Sequence, residues 1–434
     1  MNIPTVGAAA ANIVKYAMGY DFEYTNGMPI RYVGFPFPVA GQPKSVHHRY
    51  VFESKDVVSG KPMMTAIIDA LTKPLTEKEK FAGKPPEAIP EKRLLAPDTE
   101  DNLQQLFKDK DWTDYLPIIL PTEERVAAML KGTSQKPDKV VKVLSWPGGA
   151  RALTVEKAAV CAVMAGAKPE HFPLVLAVST SLPFGNSTTS MANMILVNGP
   201  VRNQVKMNYG GNAMGPHNEV NAVLGRVFTL LSKTAGGLHA GKTTFSSIGS
   251  NLQYNNVCIA ENEEALPAGW DPLHVQMGFK PTDSVVTVGT GWTYISSVGE
   301  VQRSYPAQYL IRDYMRSLAA MGGGSIILDP TVAALLKDTQ GFKTKGELSQ
   351  WLADNVEKTV SSYWGNGVIA TFSAAMALQG LEPQATWIKA PPETLIKPFN
   401  AKGIQVIVTG GGIQTTWFVT DFRLGRGTLV DDWK

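Results

Sequence analysis

The stretch richest in chemical potential is NGPVRNQVKMNYGGNAMGPHNEVN, residues 198–221. It sets a run of asparagines, one arginine and one histidine among glycines and apolar residues. Arg202 can clamp a carboxylate through two parallel N–H···O bonds. Asn198, Asn208, Asn212, His217 and Asn218 offer further orienting hydrogen bonds. Gly210, Gly211 and Gly215 let backbone N–H groups approach a ligand at the start of a helix, where the dipole favours an anion. A plain connection needs glycine for its turns but not such a density of amides, so this stretch reads as a substrate-binding element.

The second cluster is NNVCIAENEEALPAGWDPLH, residues 255–274. VCIA reads as a buried strand, with Glu261 at its end and His274 behind a Trp-Asp-Pro turn. A strand-end carboxylate beside an imidazole is the raw material of general acid–base catalysis. The same two groups suit a divalent metal, the one cofactor the sequence leaves open, and its ligands stay unassigned. At least one of Glu263 and Glu264 reads as a solvated turn residue. Cys258 is a candidate nucleophile, set against the commoner role of a strand cysteine as a small buried hydrophobe. His239, on a Gly-rich loop, is a candidate ligand or proton carrier.

That loop, GGLHAGKT at 236–243, has the spelling of a phosphate-binding P-loop. A P-loop cradles phosphate between a buried strand and a helix N-terminus. Here the helical VFTLLSKTA precedes it and the Ser-, Gly- and Asn-rich FSSIGSNLQYNN follows, so TAGG reads better as a helix end with a glycine cap. IILD at 326–329 resembles a magnesium-binding strand end, against the commoner Asp-Pro turn. VTGGGIQT at 408–415 reads as a strand running into a Gly-rich turn, without the spacing for a dinucleotide.

The elements that position these residues are strands alternating with helices. Thr154 and Thr344 are N-caps, NEVNAVLGRVFTLLSK is an amphipathic helix, and MILVN, DSVVTVGT, SIILD and IQVIV are apolar strands. The pattern predicts an α/β protein with mixed, partly parallel sheets flanked by helices. Residues 1–95 are aromatic and punctuated by Gly and Pro, ending in a Pro-rich strap; they read as an irregular arm or small subdomain suited to an interface. Residues 96–434 read as the catalytic core, divisible into lobes near 96–300 and 301–434. No internal repeat is visible.

With 41 basic and 38 acidic residues the chain carries a net charge of +3, which leaves no footprint for nucleic acid. Its 2 cysteines exclude a disulfide framework and fit a reducing, cytoplasmic location. No run reaches the roughly 18 to 20 apolar residues that span a bilayer, and the N-terminus lacks a signal-peptide pattern.

Several segments resemble a bacterial family associated with UGSC-type (seleno)cysteine domains, some of whose members are labelled thioredoxin-like. They are WTDYLPIILPTEERVAAML, TVEKAAVCAVMAGAKPEHFPLVLA, LVNGPVRNQVKMNYGGNAMGP and CIAENEEALPAGWDPLHVQMGFKPTDSVVTV, and the resemblance spans residues 111–412. The chain has no Cys-Gly-Ser-Cys motif, so selenol or dithiol chemistry does not transfer. The resemblance implies that residues 198–212 and the ENEE segment act together.

The expectation is an enzyme of hydrolase or lyase type acting on a small polar, carboxylate-bearing substrate, with Arg202 binding and Glu261 or His274 moving protons. The alternatives are a P-loop NTPase and a non-catalytic scaffolding oligomer. A homo-oligomer is the expected assembly.

Overall fold

The computed structural model describes residues 3–11, 14, 30–37, 39, 42–80, 93–146, 149–180, 191–238, 246, 248–298, 305–319, 321–412 and 416–434. Strands and helices alternate as the apolar periodicity predicts, and the protein is α/β with mixed sheets flanked by helices. Near the N-terminus, β1 (Thr5–Ala10) and β2 (Ile30–Phe35) pair in parallel, α1 (Lys44–Phe52) packs on α2 (Met63–Thr72), and α2 packs on both strands. Val33, Met63 and Ala66 give this section a small core of its own.

The main body continues with α3 (Glu100–Asp109), α4 (Glu123–Leu130), the antiparallel pair β3 (Val140–Trp146) and β4 (Gly149–Thr154), α5 (Val155–Ala165) and α6 (Phe172–Thr180). Then come β5 (Ala192–Asn198), α7 (Glu219–Thr234), β6 (Val257–Ala260), β7 (Val285–Gly291) and β8 (Tyr294–Val298). Next are α8 (Ala307–Met315), β9 (Gly322–Leu328), α9 (Pro330–Asp338) and α10 (Lys345–Asn355). A small antiparallel pair, β10 (Lys358–Thr359) and β11 (Leu395–Ile396), brackets α11 (Gly367–Leu378). The chain closes with β12 (Phe399–Val408), β13 (Thr416–Thr420), β14 (Arg423–Leu424) and β15 (Thr428–Leu429). Caps start these helices where expected: Thr154 accepts from the Lys157 N–H and Thr344 from the Glu347 N–H.

Two sheets form the centre. The first runs β14-β7-β5-β6, with β15 also on β7; the second runs β12-β9-β13-β8. Side chains alternate across each strand, so each sheet has two apolar faces. Ile195, Val197, Cys258 and Val286 face α5, α6 and α7, while Ile326, Leu328, Val406 and Trp417 face α8, α9 and α10. The inner faces meet through Met194, Leu196, Ile259, Ile327 and Ile407. The result is four layers, helices–sheet–sheet–helices.

The connectivity contains a repeat that the sequence hides. In the first sheet β5 pairs β6 in parallel and β7 antiparallel; in the second β9 pairs β12 in parallel and β13 antiparallel. Each half then gives its next strand to the other sheet: β8 pairs β13, and β14 pairs β7. Asp421, at the second crossing, holds the first, accepting from the Trp292 and Thr293 N–H groups at 2.8 Å each. The expected lobe boundary near residue 300 follows β8, yet the two sheets share strands across it. Among the described residues no helix is long and apolar enough to cross a membrane.

Candidate functional site

Asn198, Glu261, Asp329 and Thr409 stand at the carboxyl ends of the two parallel pairs, and strand alternation directs all four to the inner face between the sheets. Ligands of open α/β sheets bind beyond these strand ends. The two halves use the position differently.

In the first half the chain fills the space itself. Glu261 is 0% exposed and Lys345, the first residue of α10, is 1% exposed. Glu261 Oε1 accepts from Lys345 Nζ at 2.6 Å and from the Val408 N–H at 3.3 Å. Its Oε2 accepts from Asn198 Nδ2 and the Leu273 N–H, both at 2.7 Å. A buried ion pair is tolerated only when further hydrogen bonds satisfy both partners, and these donors supply them. The arrangement fixes the Glu261 carboxylate in place and ties the first half to the second.

Glu263 lies beside it. Its Oε1 accepts from Asn198 Nδ2 at 2.9 Å and the Gly199 N–H at 2.7 Å, and its Oε2 lies 3.1 Å from Arg202 Nη2. Arg202 is buried and stacks over the Tyr209 ring at 4.8 Å. Its Nε donates to the Gly199 carbonyl at 2.9 Å, and its Nη1 to the Glu261 carbonyl at 2.6 Å and Glu264 Oε2 at 3.0 Å. Hydrogen bonding to Arg202 holds the Glu264 carboxyl below the usual carboxylate range. Arg202, expected to clamp a substrate carboxylate, thus holds carboxylates of its own chain. Glu263, read as a candidate turn residue, is part of that grip.

His274 is 0% exposed, and neither ring nitrogen has a hydrogen-bond partner among the described residues. Its Nδ1 lies 3.7 Å from Glu263 Oε1. The structure therefore brings together Asn198, Arg202, Glu261 and His274. Cys258 is placed apart, on the face toward α7, and burial pushes its thiol up to about 12. Cys161 is pushed up to about 11 by the same cause. Both thiols should be silent toward an aromatic disulfide reagent at pH 8 and react together only in denaturant, because the thiolate is the reactive form. Rapid labelling of the native protein would refute this. His239 lies outside the described residues, as do Lys242 and Thr243 of the P-loop spelling. The residue run before them is α7, which ends at Thr234, and Gly237 follows with φ of 66°.

Asn208, Asn212, His217 and Asn218 share the loop between β5 and α7. Asn218 Nδ2 donates to the carbonyls of Asn212 at 2.5 Å and Gly215 at 2.8 Å. Asn208 Nδ2 donates to Asn218 Oδ1 at 2.5 Å, and Asn221 Nδ2 donates to the Asn208 carbonyl at 3.0 Å. The amides knit a loop in which Lys206, Asn212 and His217 hold φ of 59°, 60° and 81°, conformations that need support from their surroundings. Asn218→Ala should cost about 1–3 kcal/mol, read as a lowered urea midpoint, because it removes the side-chain donor to the Gly215 carbonyl and one of two donors to the Asn212 carbonyl.

In the second half the corresponding space is open. A crevice of about 350 Å³ lies beyond β9 and β12. Asp329, Thr409 and Thr416 line it with Gly410 and Gly411, and Tyr294 and Phe418 form an aromatic wall with ring centroids 4.8 Å apart. The 212–215 turn of the asparagine loop covers another side. Asp329 is the N-cap of α9, where sequence favoured an Asp-Pro turn: Oδ1 accepts from the Val332 N–H at 2.8 Å and Oδ2 from the Thr416 N–H at 2.5 Å. Burial pushes its carboxyl up from the ordinary aspartate value, and burial likewise raises the Tyr294 phenol, keeping it a hydroxyl donor. A separate groove of about 310 Å³ on the far side of the asparagine loop is lined by Lys168, His171, Lys206 and His217.

Sequence reasoning missed Lys345, Tyr294 and Thr416. Lys345 had one signal, a lysine in the first turn of a helix, where the dipole disfavours it. Among the described residues no group of three or more His, Cys, Asp or Glu side chains is placed to hold a metal ion. No protein-family model, curated protein or solved structure matches this chain.

Proposed function

We propose that the protein is an enzyme of hydrolase or lyase type that binds a small polar substrate in the crevice beyond β9 and β12. The observation that carries this reading is Asp329. It is a 6% exposed carboxyl at the carboxyl end of a parallel strand, lining a crevice of about 350 Å³, with its proton affinity raised by burial. A buried carboxyl with raised proton affinity that faces a crevice is suited to general acid–base work. Tyr294, whose hydroxyl rests against Met214 Sδ at 3.8 Å, and the Gly410–Gly411 backbone line the same crevice.

In this reading Asp329 takes the proton, from an attacking water in a hydrolase or from a carbon acid in a lyase. The buried Glu261–Lys345 pair and the Arg202–Glu263 grip set the strand ends in place. The asparagine loop shapes one wall. A panel of small esters, amides and hydroxy acids, screened with the wild type and Asp329→Asn, tests the proposal. Turnover by the wild type that the variant lacks is the expected result; equal turnover by both would refute the role of the crevice.

A further inference from the structure

The two halves can be compared residue by residue because their strand registers coincide. Val197 pairs with Ala260 at the end of the first parallel pair, and Leu328 with Val408 at the end of the second. Asn198 and Asp329 are therefore equivalent, as are Glu261 and Thr409, and two residues further on Glu263 and Gly411.

In the first half the space past the strands holds a carboxylate, that of Glu263. Three donors grip it: Asn198 Nδ2 at 2.9 Å, the Gly199 N–H at 2.7 Å and Arg202 Nη2 at 3.1 Å. This is an internal demonstration of the ligand chemistry that such donors select. In the second half every one of them is replaced. Asp329, which can only accept when ionised, stands for Asn198. Pro330, which has no N–H, follows where Gly199 does. Thr331, Val332 and Ala333 come next, with no guanidinium among them. Gly411 brings no carboxylate, and a Cβ there would abut the Gly210–Gly211 backbone, so the crevice beside Asp329 holds no acid of the chain's own in Glu263's place. The polarity of the site is inverted.

Resting on the reading of the crevice as the substrate site, we propose that it takes a flat organic molecule presenting a nitrogen donor head, an amine or amidine, to Asp329. A carboxylate head is rejected there. The described lining residues carry one acid and no Lys, Arg or His to offset it. Tyr294 and Phe418 stack on one another and give the crevice an aromatic side against which a planar, cationic group can pack. The nitrogen head donates to one Asp329 oxygen and leaves the carboxylate a lone pair for the proton it takes in turnover, whereas a second carboxylate would meet like charge.

Calorimetric titration of the full chain with benzamidine and with benzoate, two probes of the same shape and opposite head charge, tests this. Benzamidine should bind at least about tenfold more tightly than benzoate. Asp329→Asn should weaken benzamidine by about tenfold or more while its melting profile shows a folded protein, since asparagine keeps an oxygen for the Val332 N–H that caps α9. Tyr294→Leu should weaken benzamidine several-fold through loss of the aromatic wall. Benzoate binding as tightly as benzamidine, or benzamidine binding unchanged in Asp329→Asn, would overturn the proposal. Failure here is separable from failure of the enzyme reading. Probe binding that needs Asp329 without any Asp329-dependent turnover removes the enzyme and keeps the specificity. Asp329-dependent turnover with benzoate preferred does the reverse.

Discussion

Lys345→Met should be the most destabilising of the substitutions considered for this protein, at about 3–5 kcal/mol. The ammonium sits 2.6 Å from Glu261 Oε1, and both groups are within 1% of complete burial. Removing it leaves an uncompensated carboxylate in an apolar interior, with Asn198, Leu273 and Val408 still donating to it. The damage reaches beyond one contact. Lys345 opens α10 in the second half and Glu261 follows β6 in the first, so the pair joins the halves at their strand ends. Glu261→Gln alone should also destabilise, leaving the lysine buried without its counterion. The double variant Glu261→Gln with Lys345→Met should recover a large part of the loss, because neither charge is then buried unpaired. Urea unfolding of the four proteins measures this coupling. Independent, additive effects of the two single substitutions would show that the pair is not the brace described.

The sequence made the strands and their carboxyl ends legible, because VCIA, MILVN, SIILD and IQVIV are apolar runs with polar residues just past them. That located Asn198, Glu261 and Asp329 at strand ends. It did not reveal which ends face each other, since pairing is a long-range property and equivalent positions hold dissimilar residues. Asn198 matches Asp329 and Glu263 matches Gly411, and a repeat that inverts its polar residues leaves no trace in sequence identity. The same gap hides the partners of the asparagines at 198–221, several of which bond the carbonyls of their own loop. Amides that satisfy the carbonyls of their own loop are indistinguishable, on the line of the sequence, from amides that await a ligand. Lys345 and Glu261 are 84 positions apart, so their partnership was equally invisible.

Asp329→Asn should reduce kcat/KM by about 10²–10⁴-fold, the usual contribution of a positioned general base. The same substitution should leave the fold intact, and the pH dependence separates the two effects. Burial raises the folded-state pKa of Asp329 above its ordinary value. The folded protein therefore holds a proton that the unfolded chain releases near pH 4. The stability contributed by this group is fully present below the unfolded pKa and is lost as pH rises through the folded one. Above that window the native protein carries a buried, ionised aspartate at a net cost, and asparagine escapes it. The variant should accordingly lose the wild type's decline in stability as pH rises from about 4, set against the hydrogen bond it gives up because its amide nitrogen cannot accept from the Thr416 N–H. Activity follows the opposite course. The base form of Asp329 is the working form, so wild-type kcat/KM should climb across the window in which stability falls, and the variant should show no such limb. A residue kept only to cap α9 would still give the stability signature, which burial alone produces, but its replacement by asparagine would leave the pH profile of activity unchanged. Inactivity in a variant that stays folded at neutral pH would mark Asp329 as a group retained for its proton rather than for the fold.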